Sequence, residues 1–63
     1  MVASVADHQA RAKRYQMRAE ECRRLAVLTP GPIGTDYESI ARDYDELALL
    51  ELMLAANQGT KAA

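Results

Sequence analysis

Alanine recurs at intervals of seven residues in two stretches of this 63-residue chain. The two rows are Ala12, Ala19 and Ala26, and then Ala41, Ala48 and Ala55. A heptad spacing keeps one narrow stripe of a helix facing a partner, and a methyl side chain lets two backbones approach closely. One antiparallel register satisfies three pairs at once: Ala12 with Ala55, Ala19 with Ala48, and Ala26 with Ala41. The pattern therefore predicts an all-α fold, an antiparallel two-helix hairpin with these six alanines as its helix seam.

The first helix has clear sequence signals at its start. Ser4 followed by Asp7 resembles a capping pair, and residues 5–28 contain neither Gly nor Pro. Residues 1–4 are expected to be frayed, because nothing in them would hold them to the rest of the chain. We therefore predict one helical-hairpin domain spanning residues 1–63, with its first helix at 5–28.

A segment rich in proline and glycine separates the two helices. It predicts a loop at 29–35, because proline removes a helical donor and glycine accepts unusual backbone angles. Thr35 opens the motif Thr-Asp-Tyr-Glu, a capping box that predicts a second helix at 36–57. Gly59 is interpreted as its stop signal, which leaves a flexible tail at 58–63.

The second helix carries more apolar side chains than one partner helix can cover. Leucine, methionine and alanine surround most of its circumference toward its carboxyl end. A chain this short buries little surface alone, and a single cysteine excludes an internal disulfide. We therefore predict a homodimer that forms a four-helix bundle, although scattered exposed leucines are the alternative. The expected oligomer interface consists of Leu25, Tyr44, Leu47, Leu50 and Leu54.

Charge is divided unevenly between the two helices. Residues 7–28 carry six basic and three acidic side chains, for a net charge of +3, whereas residues 36–57 carry one basic and six acidic ones, for −5. This asymmetry favours an antiparallel pairing of unlike helices, within a chain or between chains. The overall charge of −1 argues against a general nucleic-acid binder. One outward basic stripe nevertheless leaves an RNA-binding hairpin dimer as the alternative function, with possible nucleic-acid contacts at Arg11, Arg14 and Arg18.

Glu51 is the one acidic residue that falls on the apolar face of the second helix. An ionised carboxylate there requires a partner. In the register above it lies near Tyr15 and within a turn of Arg14 and Arg18, so a hydrogen bond from one of them is expected. We interpret Glu51 as a residue that fixes the register or bends out to water, rather than as a catalytic group.

The sequence contains few residues suited to catalysis or metal binding. His8 has no His or Asp at ligand spacing and is interpreted as a seam or surface residue. Cys22 lies on the apolar stripe, where a thiol is a small buried hydrophobe. Glu20 and Glu21 lack the Glu-x-x-His pairing of carboxylate-bridged metal bundles. We therefore predict no catalytic, cofactor-binding or metal-binding residues, no cofactor, and no enzymatic activity.

Two segments resemble a group of short, uncharacterised bacterial proteins. Residues 18–26 read RAEECRRLA and residues 40–48 read IARDYDELA. The group carries an AEEC-R-x-LA segment on one helix and an LA-x-x-Y/W-x-x-LA segment on the next. The similarity spans about residues 12–52, and the loop here is longer and less acidic than in the group. The resemblance implies a helical hairpin and supplies no activity and no catalytic residue.

The remaining sequence features bear on location and partners. The first nine residues lack the basic and apolar regions of a secretory signal, and no apolar run is long enough to cross a bilayer. We therefore expect a cytoplasmic protein without membrane association. The favoured function is a structural or protein-interaction module, a homodimer that docks a larger protein or serves as a small regulatory or stress-related accessory. The negative overall charge argues against nucleic acid as a partner.

Overall fold

The computed structural model describes residues 3–62, with the backbone alone for residues 60–62. The described residues form two α-helices, α1 at Val5–Leu28 and α2 at Pro32–Ala62, which pack against each other as a hairpin. The hairpin measures 49 by 17 by 13 Å. Neither helix, within the described residues, has a stretch long and apolar enough to cross a membrane. The predicted all-α hairpin is confirmed.

The start of α1 is held by a capping box. The Asp7 backbone N–H donates to Ser4 Oγ over 3.1 Å, and the Ser4 N–H donates to Asp7 Oδ2 over 3.2 Å. These bonds satisfy amides that the first turn of a helix leaves without partners. The backbone bond from Ser4 is also the main reason that the pKa of the Asp7 carboxyl is lowered. The predicted fraying of Met1 and Val2 lies outside the described residues.

The chain reverses over three residues, between Leu28 and Pro32. Gly31 has φ of 81°, a left-handed conformation that glycine adopts without strain. Pro32 then starts α2, which suits proline because the first turn of a helix needs no donor at that position. Gly34 is buried, and a Cβ placed on it would lie 2.0 Å from the carbonyl oxygen of Thr29. The absence of a side chain at Gly34 therefore allows α2 to begin directly against the end of α1.

The predicted end of the loop and both predicted ends of the second helix are wrong. The loop is shorter than 29–35, because Pro32 can begin a helix once Gly31 has turned the chain. Thr35 therefore lies inside the first turn of α2 and does not cap it.

At the other end, the predicted stop at Asn57 and the flexible tail at 58–63 are wrong for residues 58–62. These residues continue α2 through Ala62, and Ala63 lies outside the described residues. A glycine near a helix end only lowers the helix propensity by about 1 kcal/mol, and it stops a helix where it takes positive φ. Gly59 does not take positive φ.

The helices are in register one heptad away from the predicted pairing. His8 meets Glu51, the rings of Tyr15 and Tyr44 stack with centroids 6.0 Å apart, and Gly34 lies against Ala26. These contacts place residue numbers that sum to about 60 at the same height along the hairpin. The predicted pairs, such as Ala19 with Ala48, sum to 67 and are therefore wrong, and Ala19 lies level with Ala41 instead.

The buried core consists of the alanine seam and little else. Ala12, Ala19, Ala41, Ala48 and Ala55 are between 0 and 5% exposed, and Ala26 is half-buried. In the part of the chain that the structure describes, every apolar side chain larger than alanine keeps some exposure to solvent. A single hairpin thus buries methyl groups in its seam and leaves its large hydrophobic side chains partly exposed to solvent.

Candidate interaction surface

Two flanks run along the seam, one on each side of the hairpin. Arg23 and Asp45, each four positions after a seam alanine, form a salt bridge with 2.8 Å between Nη1 and Oδ2. Positions four after a seam residue therefore lie on the same side in both helices. We call this side the polar flank; it also includes Gln16, Glu38 and, toward the open end, Leu52.

The opposite side consists of the residues that directly precede the seam positions. We define the apolar flank as Leu25, Ile33, Ile40, Leu47 and Leu54. These five side chains are 37 to 59% exposed. Four of them form a row with heptad spacing along α2, from Ile33 to Leu54. The apolar flank is therefore a continuous hydrophobic ridge over most of the length of α2, with the typical spacing of a helix-packing surface.

Three of the predicted interface residues lie on this flank, and two lie elsewhere. Leu25, Leu47 and Leu54 belong to the apolar flank. Leu50 is one turn from both Leu47 and Leu54 and lines a shallow depression beside them. Tyr44 is half-buried and stacks on Tyr15 within the hairpin, so its ring serves the seam of its own chain.

A polar cluster occupies the open end of the seam. His8 is 6% exposed, and its Nδ1 lies 2.5 Å from Glu51 Oε2. Arg11 Nε donates to Glu51 Oε1 over 2.9 Å. Both carboxylate oxygens of Glu51 therefore have a nitrogen partner on α1, and no buried side-chain nitrogen or oxygen in the described residues lacks a hydrogen bond.

The Glu51 carboxyl is held in its ionised form by this cluster. The hydrogen bond with His8 contributes most to a lowered pKa, burial acts in the opposite direction, and the hydrogen bond and charge of Arg11 lower the pKa further. The Glu51 side chain is only 14% exposed, so its charge is well shielded from water. This arrangement suits a residue that ties the two helices together at one height.

The predicted partners of Glu51 are wrong. Tyr15, Arg14 and Arg18 would lie near Glu51 only in the register that the structure excludes. The true partners, His8 and Arg11, lie one heptad earlier on α1. The sequence did contain a usable signal, because His8 and Glu51 both fall on the seam stripes, where two polar groups at one height satisfy each other.

The basic stripe predicted for nucleic acid is divided by the structure. Arg11 binds Glu51, whereas Arg14 and Arg18 are exposed. Arg14 and Arg18 line a shallow depression on the outer face of α1 that also includes Glu20 and Glu21. The stripe is therefore a mixed surface with acidic as well as basic groups.

The other candidate groups have ordinary positions. Cys22 is half-buried and forms no disulfide. Across the described residues, no group of three or more His, Cys, Asp or Glu side chains is placed to hold a metal ion. The apolar flank and the His8, Arg11 and Glu51 cluster are thus the two features that stand out from an ordinary helix surface.

Comparisons with known proteins give no relative for this chain. No family model, no curated protein and no solved structure matches it. The suggested similarity to short bacterial hairpin proteins therefore stays a prediction, and any proposal about function depends on the surface itself.

Proposed function

We propose that the protein is a non-enzymatic interaction module, in which two copies join along the apolar flank to form a four-helix bundle. The bundle then presents its outer, charged faces to a larger protein partner in the cytoplasm. The observation that carries this proposal is the heptad-spaced row Ile33, Ile40, Leu47 and Leu54, each 40 to 59% exposed. An exposed row of this kind does not stabilise a hairpin that stays alone, whereas a four-helix bundle buries it.

The dimensions of the hairpin support a second copy as the occupant. A face of 49 by 17 Å has a projected area of about 800 Å², large enough to hold the surface that each partner contributes to a typical stable interface. In the described part of the chain, the seam buries alanine methyls, the His8 ring and part of two tyrosine rings, and no large aliphatic side chain. Covering the apolar flank would add large side chains to a core that is otherwise small for a folded domain.

The proposal predicts a concentration-dependent dimer that a charge on the apolar flank dissociates. Light scattering after size exclusion at micromolar concentration should give twice the mass of 7.0 kDa. Leu47→Lys should raise the dissociation constant by at least about tenfold, because it places an ammonium in the centre of the contact.

Met17→Lys is the matched control. Met17 is 61% exposed and lies on the outer face of α1, away from the apolar flank. This variant should leave the dimer intact. A monomeric, folded wild-type protein, or equal effects of the two lysines, would contradict the proposal.

RNA binding is the second candidate, supported by the exposure of Arg14, Arg18 and Arg24 around one depression. Glu20 and Glu21 in the same depression, and the acidic α2, oppose phosphate binding. A filter-binding titration with structured RNA at two salt concentrations separates the candidates. Phosphate contacts must weaken steeply as salt rises, whereas an apolar dimer interface changes little.

A further inference from the structure

We infer that the second copy packs with its α1 on the α2 of the first, so that both turns lie at the same end of the bundle. This inference depends on the proposed function and names the arrangement of the dimer. Two hairpins stacked by their apolar flanks can form a symmetric dimer in two arrangements. A two-fold axis parallel to the helices puts α1 on the partner's α2, and an axis perpendicular to them puts α1 on α1 and α2 on α2.

The charges on the two helices distinguish the two arrangements. On the apolar flank and its outer margin, α1 carries Arg11, Arg14 and Arg18 together with Asp7 and Glu21, for a net charge of +1, whereas α2 carries Asp36 and Asp43, for −2. Like helices stacked on each other would place two net-positive margins against each other and two net-negative margins against each other, whereas unlike helices bring opposite net charges together. Among the described residues, no ion-pair partner within the same chain is found for Arg14, Arg18, Asp36 or Asp43.

The arrangement with turns at the same end also fixes the register without further assumptions. An axis parallel to the helices allows no sliding, so each residue of α1 keeps its height when it meets the partner's α2. Arg18 is level with residues 41 and 42, as the contacts of His8 and Tyr15 establish. Asp43 lies between Ile40 and Leu47 on the margin of the apolar flank, within one turn of that height. We therefore assign an ion pair between Arg18 and the Asp43 of the second copy.

The apolar row does not oppose this pairing. Arg11 and Arg18 directly precede seam positions of α1 and lie on the same side as Leu25 of the apolar flank. An arginine stem carries three methylene groups that cover hydrophobic surface while the guanidinium reaches its partner. In the inferred bundle these stems lie over Leu47 and Ile40, and Leu25 lies near Ile33. The guanidinium of Arg18 is then directed toward the acidic margin of α2 in the other copy, while that of Arg11 stays on Glu51 of its own chain.

Energy transfer between two labelled sites tests the arrangement. In a Cys22→Ala background, Val27→Cys and Ala6→Cys place single labels near the turn and near the open end; both residues are exposed and lie off the apolar flank. The two sites are about 31 Å apart along the helix axis, from a rise of 1.5 Å per residue. With turns at the same end, transfer between two Val27 labels should exceed transfer between a Val27 label and an Ala6 label on the other copy.

The reverse order of the two efficiencies would overturn the inference while leaving the dimer itself in place. Absence of transfer in both samples, together with a monomeric mass, would overturn the inference and the proposed function together. Donor and acceptor labels are attached to separate batches that are then mixed, so only contacts between copies contribute.

Charge reversal provides an independent measurement. Arg18→Glu creates two repulsive contacts in a symmetric dimer and should raise the dissociation constant by about tenfold or more. Adding Asp43→Arg to the same chain restores opposite charges and should bring the constant back to within about threefold of the wild type. Arg24→Glu, on the outer face of α1, is the control and should have little effect. Failure of Asp43→Arg to rescue the variant would contradict the assigned pair.

Discussion

The two ends of the hairpin hold the helices together by different means. At the turn end, Gly34 lies against the carbonyl oxygens of Thr29 and Ala26, and nothing larger fits. At the open end, His8 and Arg11 bind the carboxylate of Glu51. The first end depends on the absence of a side chain and the second on three polar side chains that complete one another.

The register of the hairpin is set at its two ends and not along the seam. The alanine seam between the two ends repeats every seven residues, so a shift by one heptad replaces alanine with alanine. Gly34 and Glu51 have no equivalent one heptad away on α2, where Ala41 and Tyr44 lie. These two positions therefore choose one register among those that the seam would accept.

The largest effect is expected from a methyl group at the turn end. In Gly34→Ala the added Cβ would lie 2.0 Å from the Thr29 carbonyl, so the backbone must move. We expect a loss of about 3 kcal/mol or more in the free energy of unfolding, measured by urea denaturation at one fixed protein concentration.

Gly59→Ala is the matched control for this change. A Cβ on Gly59 meets nothing within 4 Å, and alanine favours the helix by up to about 1 kcal/mol. Equal stability of the two variants would mean that the turn end has room for a Cβ at Gly34. The turn end would then not depend on the absence of a side chain.

Enlarging the seam itself should have the next largest effect. Ala19 is fully buried, and Ala19→Leu forces the helices apart at the centre of the hairpin. We expect a loss of about 1 to 3 kcal/mol in the same denaturation assay. Ala10→Leu, at an exposed position of α1, should change stability by no more than about 0.5 kcal/mol. A seam that tolerates leucine would show that Gly34 and the polar cluster, rather than close packing, hold the hairpin.

Much of the fold could be predicted because its signals are local. Three signals act within a few residues of each other: the absence of Gly and Pro from α1, the Ser4 and Asp7 pair, and the spacing of the alanines. The burial of Ala12 and Ala48 follows from the same spacing. These features indicate which residues face the partner helix, and they need no knowledge of the distant contact.

The register could not be predicted from the same pattern. A heptad repeat is unchanged by a shift of seven residues, so alanine faces alanine in both registers, in three predicted pairs and in two pairs of the structure, Ala12 with Ala48 and Ala19 with Ala41. The choice depends on the length of the turn, which is set by the positive φ of Gly31 and by the clearance at Gly34. Because the predicted turn is too long, the prediction places Glu51 away from its true partners, His8 and Arg11.

Removing the charge of Glu51 should have a smaller effect, and one that depends on pH. The pKa of this carboxyl is lowered from an ordinary value of 4.5 in the folded chain. Its contribution is therefore present above about pH 4.5 and is lost as the pH falls through the lowered pKa. We expect Glu51→Gln to lower the melting temperature at pH 7, and the difference from the wild type at the same pH to shrink as the pH falls below about 4.5.

Asp7→Asn serves as the comparison for this prediction, since the pKa of Asp7 is also lowered but its partner Ser4 is local. Both variants should flatten the acid limb of the stability curve, and only Glu51→Gln should disturb the open end, seen as faster amide exchange around residues 8–11. A wild-type melting temperature that is the same at pH 7 and pH 3 would argue against a charged cluster.

The smallest effect is expected at the salt bridge between Arg23 and Asp45, which belongs to neither end. Its side chains are 50% and 46% exposed, so water and salt screen the pair. The hydrogen bonds to Asp45 raise the pKa of Arg23, which is already fully ionised at neutral pH, so they add no pH dependence there. Arg23→Gln should shift the melting temperature by no more than about 2 °C, with a smaller shift in 0.5 M salt. A larger shift would mean that the middle of the hairpin, and not only its ends, depends on polar contacts to hold the register.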